Sequence, residues 1–553
     1  MKLTLVCLNA KYVHASIAPW CLKAGVEKYS PNTLVRVVEA TVNEKEEAVL
    51  ERILEEDFEL IGFCTYIWNY NSVKSLVKKI KNVLPQTSIV LGGPEVGFDI
   101  QNTFDEIAEC DFLISGAGEM PLGLLCKALE DKSGFDKVPA LYTRSSAPRV
   151  KAVELEMPSP YCDEYLEKLN GRMAYIETMR GCPNKCAFCV SGREEGLVFF
   201  DMERVKRDIL LVANSSAKTV KFVDRSFNAK NSRAVEIIEF IIRSRGECYP
   251  KDVCFHFELE AMMLSDELTE LFCSAPQGLF RLEVGIQSFN EKTLSALSRR
   301  CDEKKLCERV KRLCSCKALT VHLDLIAGLV YEDLESFADS FNKTFALSPD
   351  ELQLGFLKLL KGTSVREDRD SFPCEYAKEP PYEVQSTPWL NGEELALLRR
   401  VAMCVEKLFN SHRFEVSLKE ALKLSRTPFD FFCEFASFSG IRHGMSLDDL
   451  SDTFYSYLLN KGYDPQCARD VLVMDRLAVG ADRLSLLLKQ ADTLRLKPKS
   501  IVKKYFGEPD GRRGAAVLYS KGLVAFCDYD NGRFCKKDPI SARYELFFCN
   551  LKA

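Results

Sequence analysis

Three cysteines, Cys182, Cys186 and Cys189, stand in the run E-T-M-R-G-C-P-N-K-C-A-F-C-V, close enough for one short loop to carry all three. Thiolates are the ligands of iron–sulfur clusters, and four make a full set. Three leave one iron of a cubane without a protein ligand, open to a substrate or cofactor. A cluster held here would therefore do chemistry as well as carry electrons. Gly181 before the first cysteine and Phe188 before the last sharpen the pattern. Two other uses match less well. A zinc site needs a second ligand pair at zinc spacing, and no such Cys/His pair follows. Unrelated buried thiols have no reason to share a loop.

Rigid elements must present such a loop. From residue 173 the sequence shows six apolar segments, each with a helical stretch after or near it: A-Y-I-E-T-M, T-V-K-F-V-D, V-C-F-H-F-E-L-E, L-F-R-L-E-V-G-I-Q, L-T-V-H-L-D-L-I-A-G and E-L-Q-L-G-F-L-K-L-L. Six β/α units point to a partial barrel over 173–372, whose functional end lies at the carboxyl ends of the strands. The cysteine loop follows the first strand and so falls at that end. Residues 1–140 alternate strand-like runs such as L-T-L-V-C-L, L-I-G-F-C-T and S-I-V-L-G-G-P with helical patterns. This is the signature of a doubly wound parallel sheet, which binds ligands at its strands' carboxyl ends. Gly92, Gly93, Gly116 and Gly118 lie there.

The chain has 553 residues, enough for about three domains, and 46% hydrophobic residues, enough for packed cores. A formal charge of −5 with both signs interspersed gives no footprint for nucleic acid or a membrane surface, and no apolar run suits a membrane span. The N-terminus reads as a buried first strand, not a signal sequence. Twenty-three cysteines without a secretory signal favour free thiols in a reducing cytoplasm. Cys301, Cys307, Cys314 and Cys316 share a basic helical stretch but fit no site spacing. Residues 141–172 read as a linker, a Pro-rich segment near 373–388 closes the barrel, and 389–553 form a helical domain with a β-hairpin tail, A-A-V-L-Y and L-V-A-F-C, with D-N-G as the turn signal.

The cysteine loop resembles that of the radical S-adenosylmethionine (SAM) superfamily. The resemblance implies that Cys182, Cys186 and Cys189 hold a 4Fe-4S cluster whose open iron chelates SAM. One electron then cleaves SAM to a 5′-deoxyadenosyl radical. L-E-V-G-I-Q-S-F-N and D-L-I-A-G-L look like the corresponding strands of oxygen-independent coproporphyrinogen oxidase. By that match Gln287 and Asp324 would bond the SAM ribose, and Glu258 and Arg299 would face its methionine part, with Phe188 also at the SAM site. Acceptors suit hydroxyls and an ammonium, and a guanidinium suits a carboxylate. Glu260, two residues on, is an alternative to Glu258. Where many members carry Gly-Gly-Glu, this chain has F-V-D-R-S-F-N. Asp224 would replace the acidic contact, and Arg225 would face the SAM carboxylate or the substrate.

The N-terminal domain resembles the cobalamin-binding domain fused to many radical SAM enzymes, through L-N-A-K-Y, C-T-Y-I-W-N, L-G-G-P-E and S-G-A-G-E-M-P. The resemblance implies cobalamin contacts at Asn9, His14, Thr65, Tyr66, Trp68, Gly92, Gly93, Pro94, Glu95, Gly116, Gly118 and Glu119. Other cobalamin folds place a cobalt-ligating His in D-x-H-x-x-G, but Tyr12 and Ile17 replace the Asp and Gly around His14. The carboxylate that would hold the ring is absent. His14 is therefore expected in a local hydrogen bond or at the corrin edge, with the lower face of cobalt open or water-bound. His256 and His322 on barrel strands are expected to serve packing or hydrogen bonding. F-V-D-R-S-F-N, L-K-L-L-K-G-T and the helical C-terminal region fit one uncharacterised branch of these proteins.

The combined resemblance implies a cobalamin-dependent enzyme methylating an unactivated carbon through methylcobalamin and a 5′-deoxyadenosyl radical. The substrate would be a small molecule or peptide, the electron donor a flavodoxin or ferredoxin, and no nucleic acid or membrane would be involved. Cyclisation, ring contraction or oxidation with the same cofactors is the main alternative. An RNA methylthiotransferase would need a basic, aromatic tail, and a cobalamin sensor would not need an open iron.

Overall fold

The computed structural model describes residues 1–148, 157–193, 196–299, 301–492, 496–530 and 533–551. The chain forms two compact units. The first holds residues 1–283, 294–302 and 357–387, and the second holds 284–293, 303–356 and 388–553.

The first unit begins with a sheet of β1 (Lys2–Asn9), β2 (Leu34–Thr41), β3 (Leu60–Cys64), β4 (Ser88–Gly92), β5 (Phe112–Ile114) and β6 (Leu141–Tyr142), in the order β2-β1-β3-β4-β5-β6. All pairings are parallel except β5 with β6. Helices cover both faces, so β3 is buried throughout and β1 at every residue but Lys2, as parallel sheets require. The strand order reverses between β1 and β3, the position where such sheets bind ligands. Leu5, Gly62 and Val90 lie side by side across β1, β3 and β4. The stretch read as a linker starts with β6, contains a helix at Asp163–Glu167, and passes through residues 149–156 outside the described set.

Two helices of this domain touch through glycines. A Cβ on Gly25 would lie 2.4 Å from the Glu119 carbonyl, and one on Gly123 would lie 2.7 Å from Tyr29 Cβ. Helices Ala18–Tyr29 and Glu119–Glu130 approach this closely only because neither glycine has a side chain. The contact fixes where Glu119 stands.

The same unit continues with β7 (Ala174–Ile176), the pair β8 (Met179–Arg180) and β9 (Val198–Phe199), then β10 (Thr219–Phe222), β11 (Cys254–Leu259) and the start of β12 (Phe280–Gln287). β10 runs parallel to both β7 and β11. A-Y-I-E-T-M, read as one strand, is thus two short ones. Phe222, Phe255, Phe257, Phe272 and Phe280 are buried together on one face of β10–β12. Alternate residues His256 and Glu258 turn to the opposite face, as the period of two dictates.

The second unit takes the end of β12, β13 (Leu319–Ala327) and β14 (Glu351–Phe356), the last two parallel with Asp324 opposite Gln353. Among the described residues, seven helices between Gly392 and Phe506, with a π-helical stretch at Val405–Asn410, form the region read as helical. The tail is three antiparallel strands, not a hairpin: β17 (Arg513–Leu518), β18 (Leu523–Asp528) and β19 (Phe547–Asn550). The turn joining β17 to β18 uses Gly522 at φ +63°. Asn531 and Gly532 of the D-N-G signal lie outside the described residues. β19 was missed because F-F-C-N is too short to show a period.

The Pro-rich segment is a correction as well. It contains the antiparallel pair β15 (Glu375–Tyr376) and β16 (Val384–Ser386) and packs onto the N-terminal domain, where the Tyr382 hydroxyl donates to Glu95 at 2.5 Å. Twenty-one cysteines are free thiols, whereas Cys273 and Cys316 are disulfide-bonded, which departs from an all-thiol chain.

Candidate active site

The cysteine loop is anchored at its centre. The Ala187 N–H donates to the Leu297 carbonyl and the Ala187 carbonyl accepts from Val365 N–H, both at 3.1 Å. Gly181 holds φ +93°, and a Cβ there would sit 2.3 Å from the Gly196 carbonyl. Only glycine lets the chain turn into the loop at this point. Cys182 and Cys186 line a cavity of about 590 Å³, Cys189 follows with its N–H on the Cys186 carbonyl, and Phe188 between them is half-buried. Among the described residues no three His, Cys, Asp or Glu side chains close round one metal ion, including those about Cys301, Cys307 and Cys314. Three free thiols on one pinned loop beside a cavity fit a polynuclear cluster.

Two neighbours complete the loop's surroundings. Arg299 Nη1 lies 3.7 Å from Cys186 Sγ while its Nη2 pairs with Glu260 at 3.1 Å. Ser226 Oγ is 3.5 Å from Cys182 Sγ. Burial pushes the Cys186 thiol up against the pull of Arg299. Glu260, not Glu258, therefore stands beside the cysteines. Strand β11 ends at Leu259, so the same-face rule stops there. Glu260 instead caps a short 3₁₀ turn and accepts from Asn184 at 3.2 Å.

Asp224 is 1% exposed. It accepts from the Thr178 N–H at 2.8 Å and the Met179 N–H at 3.2 Å, and from the Thr178 hydroxyl. Burial pushes its carboxyl up to about 7. Through these bonds it ties the end of β10 to the segment entering the cysteine loop.

Glu258 faces a different cavity, of about 420 Å³, with Asn9, His14, Tyr66, Trp68, Tyr175, Lys221 and Arg225. Lys221 bridges Glu258 at 3.1 Å and Glu283 at 2.9 Å. Burial opposes its charge, and the two carboxylates outweigh burial and raise it. His256 Nε2 reaches Glu283 at 3.2 Å. His14 Nδ1 is 2.6 Å from the Tyr175 hydroxyl. Burial, then Lys11, Lys221 and Arg172, holds the imidazole below its ordinary range, so the ring is neutral near pH 7. The Tyr66 and Trp68 rings stack at 4.4 Å and 7°, and the Trp68 indole donates to the Leu8 carbonyl. Asn9 turns its amide to Glu39.

A third cavity, of about 290 Å³, enters the N-terminal sheet at its switch point. It is lined by Leu5, Gly62 and Val90 at its floor and by Gly92, Gly93, Pro94, Gly116, Gly118 and Glu119 at its rim. A Cβ on Gly62 would reach within 2.9 Å of Leu5 Cδ2, so the slot exists because residue 62 has no side chain. An apolar slot with a glycine rim suits the nucleotide tail of cobalamin. Thr65 is buried, its N–H on the Gly92 carbonyl at 2.7 Å, and supports the rim from behind. Glu95 lines neither cavity. It is held by Tyr382 and lies 3.4 Å from Lys361.

In the second unit Gln287 ends β12 in a left-handed conformation, φ +71°, and Asp324 lies 3.1 Å from His322 Nε2. Next to Gln287, the Ser288 hydroxyl donates to Glu332, which also accepts from Ser340 at 3.3 Å. Glu332 is fully buried, and burial pushes its carboxyl up to about 8. The folded protein therefore keeps a proton that the unfolded chain loses above its ordinary carboxyl range. Stability from this group is full below about 4.5 and is lost progressively up to about pH 8, at about 1.4 kcal/mol per pH unit. Urea midpoints of wild type should fall over that window, and those of Glu332→Gln should lack this component. Equal pH slopes would count against a protonated Glu332.

Sequence reasoning missed Ser226, Tyr175, Lys221, Glu177 and Gly62: Glu177 and Ser226 stand inside E-T-M-R-G-C and F-V-D-R-S-F-N without an assigned partner, and the other three carry no motif of their own. Arg180 was in view within M-R-G-C but had no assigned partner.

Three families match the chain: "B12 binding domain" over residues 3–125, "Radical SAM superfamily" over 176–343, and "Protein of unknown function (DUF4080)" over 370–499. The cobalamin-dependent radical SAM methyltransferase TokK of Streptomyces tokunonensis is 26% identical over 309 residues, 52% of this chain and 44% of TokK. The chain thus spans less than half of that relative. The radical SAM methyltransferase TsrM from Kitasatospora setae, solved with cobalamin and a 4Fe-4S cluster, superposes with a TM-score of 0.55 at 17% identity, covering 67% of this chain and 76% of TsrM. OxsB, a cobalamin-dependent SAM radical enzyme solved with aqua-cobalamin and SAM, gives 0.60 at 12% identity, covering 86% and 78%. At these identities the structural likeness is one of fold. No helix among the described residues is long and apolar enough to cross a membrane. One polypeptide thus carries a match to a B12-binding domain followed by a match to the radical SAM superfamily, the pairing of domains expected from its sequence.

Proposed function

We propose that the protein is a cobalamin-dependent radical SAM methyltransferase acting on a carbon of a small-molecule or peptide substrate. One observation carries this reading. The cavity of about 420 Å³ is walled on one side by the N-terminal domain, through His14, Tyr66 and Trp68, and on the other by barrel strands, through Tyr175, Lys221 and Glu258. It shares Ile17, Tyr66 and Val223 with the slot in the N-terminal sheet. When bound, cobalamin and SAM with the cluster supply the methyl group and the hydrogen-abstracting radical.

The chain's own residues then bind and orient. Stacked Tyr66 and Trp68 give a flat apolar face. Neutral His14, fixed by Tyr175, presents its other ring nitrogen. Lys221 is neutralised by two carboxylates and stays in place. Arg225, 59% exposed and paired with Glu258 at 3.7 Å, is a cation placed to take a substrate carboxylate. Asp224 and Arg299 hold the cysteine loop. A flavodoxin- or ferredoxin-type donor would supply electrons.

The test is a product count. Reconstituted protein with cobalamin, SAM and a low-potential reductant should form both S-adenosylhomocysteine and 5′-deoxyadenosine. 5′-Deoxyadenosine without any S-adenosylhomocysteine would sink methyl transfer and leave cyclisation, ring contraction or oxidation.

A further inference from the structure

Arg180, two residues before Cys182, is gripped by two carboxylates. Its Nη1 and Nη2 donate to Glu119 at 3.2 and 2.9 Å, and its Nε and Nη2 donate to Glu177 at 2.9 and 2.7 Å. The side chains are 22% exposed for Arg180, 6% for Glu119 and 17% for Glu177. Burial alone would raise the Glu119 carboxyl, and Arg180 outweighs it and holds it below its ordinary range. Bidentate guanidinium–carboxylate pairs fix geometry as well as charge.

All three residues of this clasp line the slot in the N-terminal sheet, and the chain leads from Arg180 directly into the cysteine loop. Glu119 opens helix Glu119–Glu130 and lines the slot in the N-terminal sheet with Gly118 and Leu122. Its backbone is packed against Gly25, which leaves its carboxylate as the part that can move. Arg180 is joined to Cys182 only through Gly181, whose left-handed backbone is confined by the Gly196 carbonyl. A shift of the Glu119 carboxylate is therefore passed to the first cysteine through one rigid residue.

We infer that the Glu119–Arg180–Glu177 clasp couples the two cofactor sites, with Arg180 as a positioning residue: cobalamin in the slot favours the loop conformation that holds the cluster, and the cluster favours cobalamin in return. This rests on the cofactor reading above. Coupling of this kind is reciprocal and typically about 5- to 150-fold.

The experiment measures the dissociation constant of hydroxocobalamin for the full-length protein with and without reconstituted cluster, by absorbance titration in the absence of SAM. Wild type should bind about tenfold more tightly with the cluster. The ratio should fall to about one in Glu119→Gln and in Arg180→Lys, since an ammonium cannot span two carboxylates as a fork. The ratio is taken within each protein, so a general loss of stability cancels, and either variant suffices if the other does not fold. A ratio of one in wild type, or a wild-type ratio kept in the variants, overturns the coupling. Wild type that binds no cobalamin overturns the cofactor reading, and the coupling with it.

Discussion

Replacing Cys186 with alanine should lower 5′-deoxyadenosine formation by at least about a thousandfold, an increase of about 4 kcal/mol in the barrier, while the protein remains folded. Cys186 is the most buried of the three loop thiols, 7% exposed, and the one that Arg299 approaches. With two thiolates left, the loop cannot complete three iron sites, so iron content should fall with activity. The loop itself should survive. Its anchors are backbone hydrogen bonds at Ala187, which the substitution leaves intact. Product chromatography and iron analysis check the first part, and an unchanged melting temperature checks the second. Substantial cleavage by Cys186→Ala would mean that the cluster is held elsewhere.

Filling the slot in the N-terminal sheet should have the next largest effect. Gly62→Val is expected to weaken cobalamin binding by about a hundredfold or more, roughly 2.7 kcal/mol, with iron content close to wild type. Gly62 sits in a fully buried strand between Leu5 and Val90, and a β-branched residue suits a strand. Its Cβ would meet the far ends of Leu5 and Val90, at 2.9 and 3.3 Å, which can shift. Its methyls would then occupy the slot. Titration with hydroxocobalamin reads the result, and undiminished affinity would place cobalamin elsewhere.

Much of the architecture was legible because the longer strands announce themselves locally. The run L-T-L-V-C-L is buried on both faces and so reads as continuous apolar sequence. C-F-H-F-E-L alternates because one face packs on helices and the other turns to a polar interior. The cysteine loop was legible for the same reason: three ligands within eight residues need no tertiary contact to be seen together. The third strand of the tail was not legible, since four residues show no period.

Partners were the harder matter. Glu258 and Glu260 look interchangeable in H-F-E-L-E. One faces Lys221 and the other faces Arg299, because the strand ends between them. Glu95 follows two glycines in L-G-G-P-E, yet its carboxylate meets Tyr382, 287 residues away. Asp224 stands where an acidic contact was expected and is occupied by Thr178 and Met179.

By itself the sequence determined the residues on which cluster chemistry would rest, Cys182, Cys186 and Cys189, and the two kinds of sheet that flank them. Residue type, spacing and short-range periodicity are properties of neighbours in the chain. Only the tertiary structure decided which charged groups meet. Arg180 reaches Glu119 across 61 residues, a pairing set by the packing of Gly25 against a helix start. A side chain's partner is chosen by where its backbone ends up, and no local pattern records that position.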